Sequence, residues 1–540
     1  MDVENRLAGM NFVSADEITP DLMRYLMVKS EEVKRAVRAN DTSKYKLVEH
    51  PDTCIGFGFC ESSTRTKISN DRARQLLGAQ KIGFDGPEGT SLQKKESLRD
   101  TLETLVSLGA ETIILRHGLN GAARWAVEAM ERRAKRRGGR PIPIINAGDG
   151  THEHPTQLIL TRRAILRQTG RLDPDNPYAY SMEGLTFLFA GDLQHSRVAN
   201  SYIKNFAADG CHFIFVAPED FQPKEIYLDM ISRDGSTFEQ HEEMHGEIIA
   251  EADVLSGFRY QLERYKGIQS SDIERAKRKT RIMLSDLEQF AKDGAMVNHP
   301  LPINKEDPEI DPAVNDSPFV GYYEEMGDGV WTRLVEQAIC LGLMGEDFEG
   351  ESWTPQEQGE IYWRPRADYN PKKGNKDFSI QQIKHYGTTI DRLPVDSMPE
   401  VLEVLGLHEK SVIYRGGNVR PRSRRSDAKG ILMIEGWEPT DDDYIKIGMI
   451  GARKEPTKAT RKQDKPLTVN RIKEGEVIEK IDIFAPDVVI FQGKGSCTDD
   501  QCVSLSRRNE YAITKVKRLN PREVYCWYCD TKFPTADLFQ

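Results

Sequence analysis

The sequence predicts an α/β protein with two parallel-sheet α/β domains, followed by an α+β domain and a small β domain. Three observations lead to this prediction. From about residue 46 to residue 303, short apolar runs alternate with longer amphipathic stretches, as in chains that alternate strands with helices. From about residue 378 to 484 the pattern is richer in strands. Four of the eight cysteines lie close together near the C-terminal end, which is typical of a small separate domain.

The first strands are predicted from apolar runs that have the length and composition of buried parallel strands. Amphipathic stretches at 98–108 and 121–137 are predicted to be helices between them. In a parallel sheet, ligand-binding loops follow the carboxyl ends of the strands, so functional side chains are expected there. The apolar runs are 112–115, 142–145, 185–190 and 211–216.

The same patterns divide the chain into four predicted domains and one linker. The two α/β domains come first, and a helix after them is expected to pack back on the first domain. A segment without clear periodicity then forms the predicted linker. In chain order, the predicted ranges are 1–152 and 153–319 for the α/β domains, 320–348 for the returning helix, 349–376 for the linker, 377–486 for the α+β domain and 487–540 for the small β domain.

Within the predicted α+β domain, the runs at 430–434 and 444–450 are alternating or apolar and predict strands. Two basic loops, 415–429 and 453–465, interrupt this pattern. Lysine and arginine are usually solvated, so exposed surface loops are favoured over a binding patch.

Charge and composition exclude several classes of protein. Lysine and arginine total 75, and aspartate and glutamate total 85, which gives a net charge of −10 and argues against a nucleic-acid coat. No apolar run approaches the roughly 18 residues of a membrane span. The acidic first residues lack the apolar core of a secretory signal, and the cysteines are too sparse for a disulfide scaffold. The sequence therefore predicts a cytoplasmic protein.

A turn rich in hydroxyl groups lies between a predicted strand at 55–59 and a predicted helix at 70–77. Residues 62–67 read Ser-Ser-Thr-Arg-Thr-Lys. Backbone N–H groups and the helix dipole at such a turn attract anions, and an arginine matches the geometry of a phosphate. Serine and threonine are also ordinary helix N-caps, so the turn alone does not separate an anion site from a cap.

Further polar side chains follow predicted strands or begin predicted helices. His154 and Gln157 are three residues apart at the start of a predicted helix, so they share one face. The turn at 299–302, His-Pro-Leu-Pro, combines two prolines with exposed carbonyl groups. The other side chains of this kind are Arg116, Arg197, Arg259 and Gln261.

Taken together, four of these elements closely resemble the aspartate/ornithine carbamoyltransferase family. A Ser-Thr-Arg-Thr turn, an Arg-His element, a His-Pro-Thr-Gln element and a His-x-Leu-Pro element occur in the order found in the family. The resemblance spans about residues 11–348. It implies the carbamoyltransferase fold, with a carbamoyl-phosphate domain first and an acceptor domain second, and a carbamoyltransferase activity.

Within the family, the matched residues resemble the aspartate branch. Pro300 stands where the ornithine branch usually has a cysteine, and Ser91, Lys94 and Lys95 match a serine and paired lysines on a mobile loop. Lys67 departs from the family, where arginine is more frequent. The implied reaction joins carbamoyl phosphate to L-aspartate in the second step of pyrimidine (UMP) biosynthesis. An ornithine acceptor is the alternative.

The resemblance also implies a role for each matched residue. The implied phosphate-binding residues are Ser63, Thr64, Arg65 and Thr66. The oxyanion of the reaction would be stabilised by Thr66, Arg116 and His154. The carbamoyl NH₂ would be held by Gln157 and the carbonyl groups of Pro300 and Leu301. The acceptor's carboxylates would be bound by Lys95, Arg197, Arg259 and Gln261.

The family's catalysis needs no metal and no covalent nucleophile, because it rests on orientation of two substrates and on charge stabilisation. In this family, the residues matched by Ser91 and Lys95 reach the active site of a neighbouring subunit. The resemblance therefore implies a homo-oligomer that is at least a catalytic trimer.

The C-terminal cysteines have the spacing of a zinc site. Cys497 and Cys502 are separated by four residues, Cys526 and Cys529 by two, and 23 residues lie between the pairs. Four cysteines in two close pairs predict one structural Zn²⁺ per chain, with disulfides as the alternative. An alternative hypothesis, from a different functional class, is a zinc-dependent nucleic-acid-binding protein. The basic residues that favour it are Arg507, Arg508, Lys515, Lys517 and Arg518.

The C-terminal part, about 378–539, resembles the regulatory chain of the bacterial enzymes of this family. The segments that carry the resemblance are 383–391, 444–447 and 468–472, together with the four cysteines. Gly475 departs from that chain, where an aromatic residue is found. The resemblance implies allosteric regulation by a nucleotide, whose identity and sign the sequence leaves open. The residues implied to line the nucleotide pocket are Asp391, Lys446, Asn470, Ile472, Val477 and Lys480.

Overall fold

The structure is a computed structural model of all 540 residues. Contacts divide the chain into two compact units, 1–354 and 355–540. Among the described residues, no helix is long and apolar enough to cross a membrane. The described residues are 6–41, 52–86, 88, 95–261, 270–353, 358–366, 383, 385–394, 398–407, 412–416, 429–452, 466–486, 488–491, 497–505, 514–520, 523–533 and 538.

The first sheet of unit 1 is parallel, with four strands in the order β2-β1-β3-β4. Its strands are β1 (Cys54–Phe59), β2 (Gln80–Asp85), β3 (Ala110–His117) and β4 (Ile144–Asp149). The helices of this region are α1 (Pro20–Arg38), α2 (Arg65–Leu77), α3 (Leu98–Ser107) and α4 (Ala122–Arg137). Strands β1 and β4 are buried along their whole length, as expected where helices cover both faces.

The second sheet of unit 1 is also parallel, with five strands in the order β7-β6-β5-β8-β9. Its strands are β5 (Thr186–Gly191), β6 (His212–Val216), β7 (Thr237–His241), β8 (Val254–Phe258) and β9 (Met296–Asn298). The helices are α5 (Pro155–Gln168), α6 (Arg197–Phe206), α7 (Glu225–Asp234), α8 (Gly246–Glu251), α9 (Ser270–Thr280) and α10 (Leu284–Phe290). The predicted strands at 185–190 and 211–216 are thus confirmed as β5 and β6, as are, in the first sheet region, the strand at 112–115 in β3 and the helices at 98–108 and 121–137 as α3 and α4. The apolar run at 142–145 is a strand only from Ile144.

The last helix of unit 1, α11 (Tyr322–Cys340), packs against α1, α2 and α5. It falls within the range where the sequence predicts a helix, but it buries four charged side chains that the pattern does not indicate, namely Glu325, Asp328, Arg333 and Glu336. Arg163 of α5 pairs with Asp328 and with Glu31 of α1. Removing one member of such a buried pair leaves the other charge uncompensated, so these residues tie the three helices together.

Unit 2 contains a six-stranded antiparallel sheet in the order β11-β16-β15-β12-β14-β13. In chain order, the strands are β10 (Gln358–Gly359), which belongs to a second sheet, then β11 (Tyr362–Pro365), β12 (Tyr386–Pro394), β13 (Val412–Gly416), β14 (Lys429–Glu435), β15 (Leu467–Lys473) and β16 (Glu476–Phe484). Two helices accompany them, α12 (Met398–Val404) and α13 (Asp441–Gly451).

Two expectations for unit 2 differ from the structure. The predicted strand at 444–450 is wrong, because this run lies in α13. A short apolar run does not distinguish a strand from a buried helix, and the local signal was the capping box formed by Thr440 and Asp443. The segment 349–376 contains β10 and β11 rather than only linker. Most of the two basic loops lies outside the described residues.

The second sheet of unit 2 is small, in the order β10-β17-β18-β19. Its remaining strands are β17 (Val488–Phe491), β18 (Thr514–Asn520) and β19 (Glu523–Cys526). The four clustered cysteines lie beside this sheet and at the end of β19. The α+β and small β parts expected after the two α/β domains are therefore present.

Candidate active site

A cleft of about 460 Å³ lies in unit 1. Its walls include the β1–α2 turn, the ends of β3, β8 and β9, and the starts of α5 and α6. Loops at the carboxyl ends of parallel strands meet at one edge, which is why residues far apart in sequence converge here. The predicted site residues that line this cleft are Ser63, Thr64, Arg65, Thr66, Arg116, His154, Gln157, Arg197, Arg259, Gln261, Pro300 and Leu301.

Among the predicted loop residues, Lys95 is described by the structure and is not part of this cleft. It is exposed, and Ser91 and Lys94 lie outside the described residues. The described residues around the cleft therefore include arginines but no lysine.

The hydroxyl-rich turn leads directly into α2, which begins at Arg65 rather than near residue 70. Its N-cap, Thr64, makes no side-chain capping hydrogen bond within the described part of the chain. The capping alternative therefore does not account for the turn. The first N–H groups of a helix attract anions when no cap uses them, so this turn has the features of a phosphate site.

Two arginines lie side by side across the cleft. Arg116 Nη1 donates to the Ala147 carbonyl at 3.1 Å, and Arg197 Nη1 donates to the Gly150 carbonyl at 3.0 Å. Gly148, with φ of 110°, lies against both, because a Cβ there would be 3.0 Å from Arg197 Cζ and 3.2 Å from Arg116 Nη1. Two adjacent guanidinium groups create a positive potential that favours anionic ligands.

The carboxylate of Glu61 lies between these arginines, 3.9 Å from Arg116 Nε and 3.5 Å from Arg197 Nη1. No motif in the sequence singles out Glu61. It lies directly before the hydroxyl-rich turn, but its contact with residue 197 depends on the packing of two sheets.

His154 is a neutral imidazole in this site. Burial lowers its pKa well below the usual value, and the charges of Arg197, Arg116 and Arg333 lower it further. Its Nε2 lies 3.4 Å from Thr66 Oγ1. A neutral imidazole can donate one N–H to a developing oxyanion without adding a buried charge.

Asp192, which is fully buried, joins two of the loops around the cleft. One carboxylate oxygen accepts from the His195 N–H at 3.1 Å, and the other accepts from the Gln261 N–H at 3.2 Å. Gln261 Nε2 also donates to the His195 carbonyl at 2.6 Å. These bonds hold Gln261 against the loop that leads into α6 and Arg197.

The turn at 299–302 is held by His299. Its Nδ1 accepts from the Leu301 N–H at 2.8 Å, and Leu301 has a φ of 53°, a conformation that costs energy in residues other than glycine. Burial, aided by Arg65 and Arg259, lowers the pKa of His299 to about 3. His299 is therefore neutral and able to accept this bond, which orients the turn that carries the Pro300 and Leu301 carbonyls.

Helix α11 contributes cleft residues that no motif indicates. Glu325 and Arg333 line the cleft, and Arg333 donates to Ser69 Oγ. Burial lowers the pKa of Arg333 to about 10 and raises that of Glu325 to about 8. The only sequence signal was the presence of charges in a helix that is otherwise rich in apolar residues, which does not identify a partner.

Glu336 on α11 provides a pH-dependent contribution to stability. Its side chain is fully buried, and burial raises its pKa to about 8 from 4.5, although Arg333 opposes the shift. The folded chain keeps this proton at pH values where the unfolded chain loses it. The stabilising contribution is therefore present below about pH 4.5 and is lost as the pH rises towards 8.

Replacing Glu336 by glutamine should remove this dependence. Relative to the variant, the unfolding free energy of the wild type should fall with pH by up to about 1.4 kcal/mol per unit between roughly pH 5 and 8. Denaturant unfolding at several pH values measures this difference. Glu324→Gln, at an exposed position of the same helix, is the matched control. A Glu336→Gln difference that stays constant over this range would contradict the assignment.

In unit 2, five of the six predicted effector residues share one face of the six-stranded sheet. Cross-strand partners lie on the same face, and the register pairs Asn470 with Lys480 and Ile472 with Val477. Ile472 and Val477 pack in a buried apolar cluster with Ile383. The five residues on this face are Asp391, Asn470, Ile472, Val477 and Lys480.

Lys446 is not brought to that face. It lies on α13, whose Gly448 is so close to β16 that a Cβ there would be 3.1 Å from Ile483 Cγ2. Ile483 is three residues from Lys480 along β16, so their side chains are on opposite faces. Lys446 Nζ instead pairs with Asp442 of its own helix at 2.7 Å. The predicted effector set is therefore divided between two sides of the sheet.

The four clustered cysteines come together in unit 2. Their Sγ atoms all lie within 4.8 Å of one another, and all four side chains are buried. The Sγ–Sγ distance is 3.5 Å for Cys497 and Cys529 and 3.7 Å for Cys502 and Cys526. Disulfide sulfurs would be about 2.05 Å apart. A tetrahedral Zn²⁺ with Zn–S bonds of about 2.3 Å places sulfurs about 3.8 Å apart, so this set fits a zinc ion.

Comparison with known proteins identifies the family. Residues 10–165 match the aspartate/ornithine carbamoyltransferase carbamoyl-P binding domain, and residues 183–335 match the Asp/Orn binding domain of the same family. The aspartate carbamoyltransferase catalytic subunit of Bacteroides fragilis is 33% identical over 291 residues, covering 54% of this chain and 85% of that protein. The chain belongs to the aspartate/ornithine carbamoyltransferase family. It is a carbamoyltransferase, and the relatives it matches here are from the aspartate branch.

Another such relative is the aspartate carbamoyltransferase catalytic subunit of Bacteroides thetaiotaomicron, 33% identical over 294 residues, which cover 54% of this chain and 85% of that protein. Among solved structures, aspartate transcarbamoylase from Trypanosoma cruzi with N-(phosphonacetyl)-L-aspartic acid has a TM-score of 0.53 at 26% identity, covering 63% of this chain and 96% of that one. The same enzyme with carbamoyl phosphate and aspartate has a TM-score of 0.52 at 26% identity, covering 63% and 97%. The predicted carbamoyltransferase fold is confirmed.

Proposed function

We propose that unit 1 transfers the carbamoyl group of carbamoyl phosphate to L-aspartate, giving N-carbamoyl-L-aspartate and phosphate in pyrimidine biosynthesis. The observation that carries the proposal is that Arg197, Arg259 and Gln261 line the same cleft as the hydroxyl-rich turn, which has the features of a phosphate site. Guanidinium groups attract the two carboxylates of aspartate, whereas the ammonium side chain of ornithine would be repelled. The matched relatives of the aspartate branch support the same acceptor.

In the proposed reaction, the amine of aspartate attacks the carbonyl carbon of carbamoyl phosphate. The new C–N bond forms, the C–O bond to phosphate breaks, and the amine loses a proton to the departing phosphate. Thr66, Arg116 and the neutral His154 stabilise the negative charge that develops on the carbonyl oxygen. The α2 turn holds the phosphate, and the 299–302 carbonyls accept from the carbamoyl NH₂.

Steady-state assays with carbamoyl phosphate and either aspartate or ornithine test this proposal. The expected kcat/KM is higher with aspartate. Arg259→Ala should raise the KM for aspartate by about tenfold or more, because hydrogen bonds to charged groups contribute roughly 1.5–3 kcal/mol, and should change the KM for carbamoyl phosphate much less. Arg278→Ala, on the exposed surface of α9, is the control. A higher kcat/KM with ornithine would refute the proposed acceptor.

We also propose that the enzyme is at least a trimer in which Lys95 completes the site of a neighbouring subunit. Lys95 is exposed, and the described lining of the cleft in its own chain includes no lysine. None of the eight cysteines, all of which lie in the described part of the chain, forms a disulfide, which suits a reducing cytoplasm.

For unit 2 we propose a fused regulatory role, with one structural Zn²⁺ held by Cys497, Cys502, Cys526 and Cys529. The buried S₄ set and its sulfur spacing support the metal, because four thiolates fill its coordination sphere and leave no catalytic position. A nucleotide effector would have to bind the sheet face of Asn470 and Lys480 without Lys446. The nucleic-acid-binding reading has less support, because Lys515 and Lys517 are buried rather than exposed to a partner.

A further inference from the structure

Glu325 occupies an unusual place for a carboxyl group. It lies near the start of α11, lines the active-site cleft, and is only 2% exposed. A buried carboxyl group is costly unless hydrogen bonds compensate it. Its hydrogen bonds lead directly to a residue of the proposed carbamoyl site.

Glu325 Oε1 accepts two hydrogen bonds from α5. Gln157 Nε2 donates to it at 2.8 Å, and Thr161 Oγ1 also donates to it. Thr161 Oγ1 lies 2.6 Å from Tyr202 Oη. Because the single hydroxyl proton of Thr161 points to Glu325, the Tyr202 hydroxyl must donate to Thr161. The bonds therefore run from Tyr202 to Thr161 to Glu325, and from Gln157 to Glu325.

This chain of bonds fixes the orientation of the Gln157 amide. Glu325 Oε1 accepts both bonds in the ionised carboxylate, and it remains the acceptor in the neutral acid, whose proton then sits on Oε2, the oxygen that makes no hydrogen bond in the described part of the chain. Only the NH₂ end of an amide can donate to an acceptor. The NH₂ group of Gln157 is therefore committed to α11, and its carbonyl oxygen is the end left for a ligand in the cleft.

We propose that Glu325 is a positioning residue, which turns the Gln157 carbonyl towards the carbamoyl NH₂ and so makes the cleft selective for a donor substrate that carries an amide rather than a methyl group. This inference rests on the proposed function, since it places carbamoyl phosphate beside Gln157. In the absence of Glu325 the side-chain amide of Gln157 can rotate by about 180°. Its NH₂ group then faces the NH₂ group of the substrate, and no hydrogen bond forms between them.

The test compares two unreactive phosphonates that differ at one group. Phosphonoacetamide carries the NH₂ of the carbamoyl group, and 2-oxopropylphosphonate carries a methyl group in its place. Calorimetry on the full-length chain gives both dissociation constants. Glu325→Leu should raise the dissociation constant of phosphonoacetamide by about tenfold, the scale of one lost hydrogen bond. It should change the dissociation constant of 2-oxopropylphosphonate by less than about twofold.

Two further variants separate positioning from a general structural effect. Glu325→Gln keeps an acceptor oxygen and should restore most of the preference for phosphonoacetamide. Glu324→Leu makes the matched exchange at a side chain that is 65% exposed and should leave the preference unchanged. If Glu325→Leu does not fold, Glu325→Ala, which leaves room for water, is measured with the same two ligands and is expected to lose the preference in the same way.

If Glu325→Leu and Glu325→Ala lower the affinity for both phosphonates equally, or lower neither affinity, the positioning role is overturned while the proposed function stands. Failure of the wild type to bind phosphonoacetamide would instead overturn the proposed function, and the positioning role with it.

Discussion

Arg116→Ala should lower kcat by about 10²–10³-fold, the usual effect of removing an oxyanion donor. Arg116 is held by the Ala147 carbonyl at 3.1 Å and lies beside Glu61 and Arg197. Its guanidinium is therefore oriented before substrate binds, so in the proposed reaction it would stabilise the developing charge without reorganisation. Steady-state kinetics measures the loss. The loss should appear in kcat and in kcat/KM, because the interaction strengthens in the transition state.

Arg116→Lys keeps the charge but not the planar fork, so it should recover only part of the activity. Arg132→Ala, at a side chain that is 43% exposed on α4, is the matched control and should stay within about twofold of the wild type, as for most surface substitutions. A change in KM alone, with kcat intact, would assign Arg116 to ground-state binding instead.

The same inactive variant tests whether subunits share sites. Mixed oligomers of Arg116→Ala and Lys95→Ala chains should regain activity, because some sites would then combine an intact Arg116 from one chain with an intact Lys95 from another. Hybrids that form but stay inactive would show that each chain builds its own complete site.

Removing zinc should unfold the cysteine-containing part of unit 2. In small zinc domains, metal binding supplies roughly 10–16 kcal/mol of apparent free energy, and the sheet beside the cysteines has only four strands in the described part of the chain. Metal analysis should find one Zn²⁺ per chain. After chelation, amide exchange should become fast at the described residues 497–505 and 523–533, while carbamoyl transfer by unit 1 persists.

Cys529→Ser should reproduce the effect of chelation, whereas Cys60→Ser should retain the zinc, because Cys60 lies in unit 1. Calorimetry with ATP, CTP and UTP before and after chelation then tests the regulatory proposal. Binding of one nucleotide that shifts the aspartate response must be matched by an equal effect of aspartate-site ligands on nucleotide affinity. If the purified chain contains no zinc, or if amide exchange is unchanged after zinc is removed by chelation, the metal assignment is contradicted.

Local sequence was sufficient to predict much of the secondary structure of this molecule. The apolar runs of β3, β5 and β6 identified parallel strands because a strand buried on both faces needs a continuous apolar sequence. The strand prediction for 444–450 was wrong because a short apolar run does not distinguish a strand from a buried helix, and the cap formed by Thr440 and Asp443 selected a helix. The two close cysteine pairs predicted a metal site, since the thiols of each pair are close in any fold. The meeting of the two pairs, with Cys502 Sγ 3.7 Å from Cys526 Sγ, depended on the tertiary structure.

The sequence by itself determined the α/β class, the two close cysteine pairs and the order of the carbamoyltransferase motifs, because each strand, each cysteine pair and each motif is made of residues that are near one another in the chain. Tertiary structure alone decided that Glu61 lies between Arg116 and Arg197, that Glu325 receives the NH₂ of Gln157 at 2.8 Å, and that Lys446 is separated from Lys480 by a sheet. These contacts join segments up to 168 residues apart. No local pattern predicts these contacts, because they depend on how the sheets and α11 pack against one another. Burial in that packing strengthens the electrostatic interactions and hydrogen bonds between these side chains.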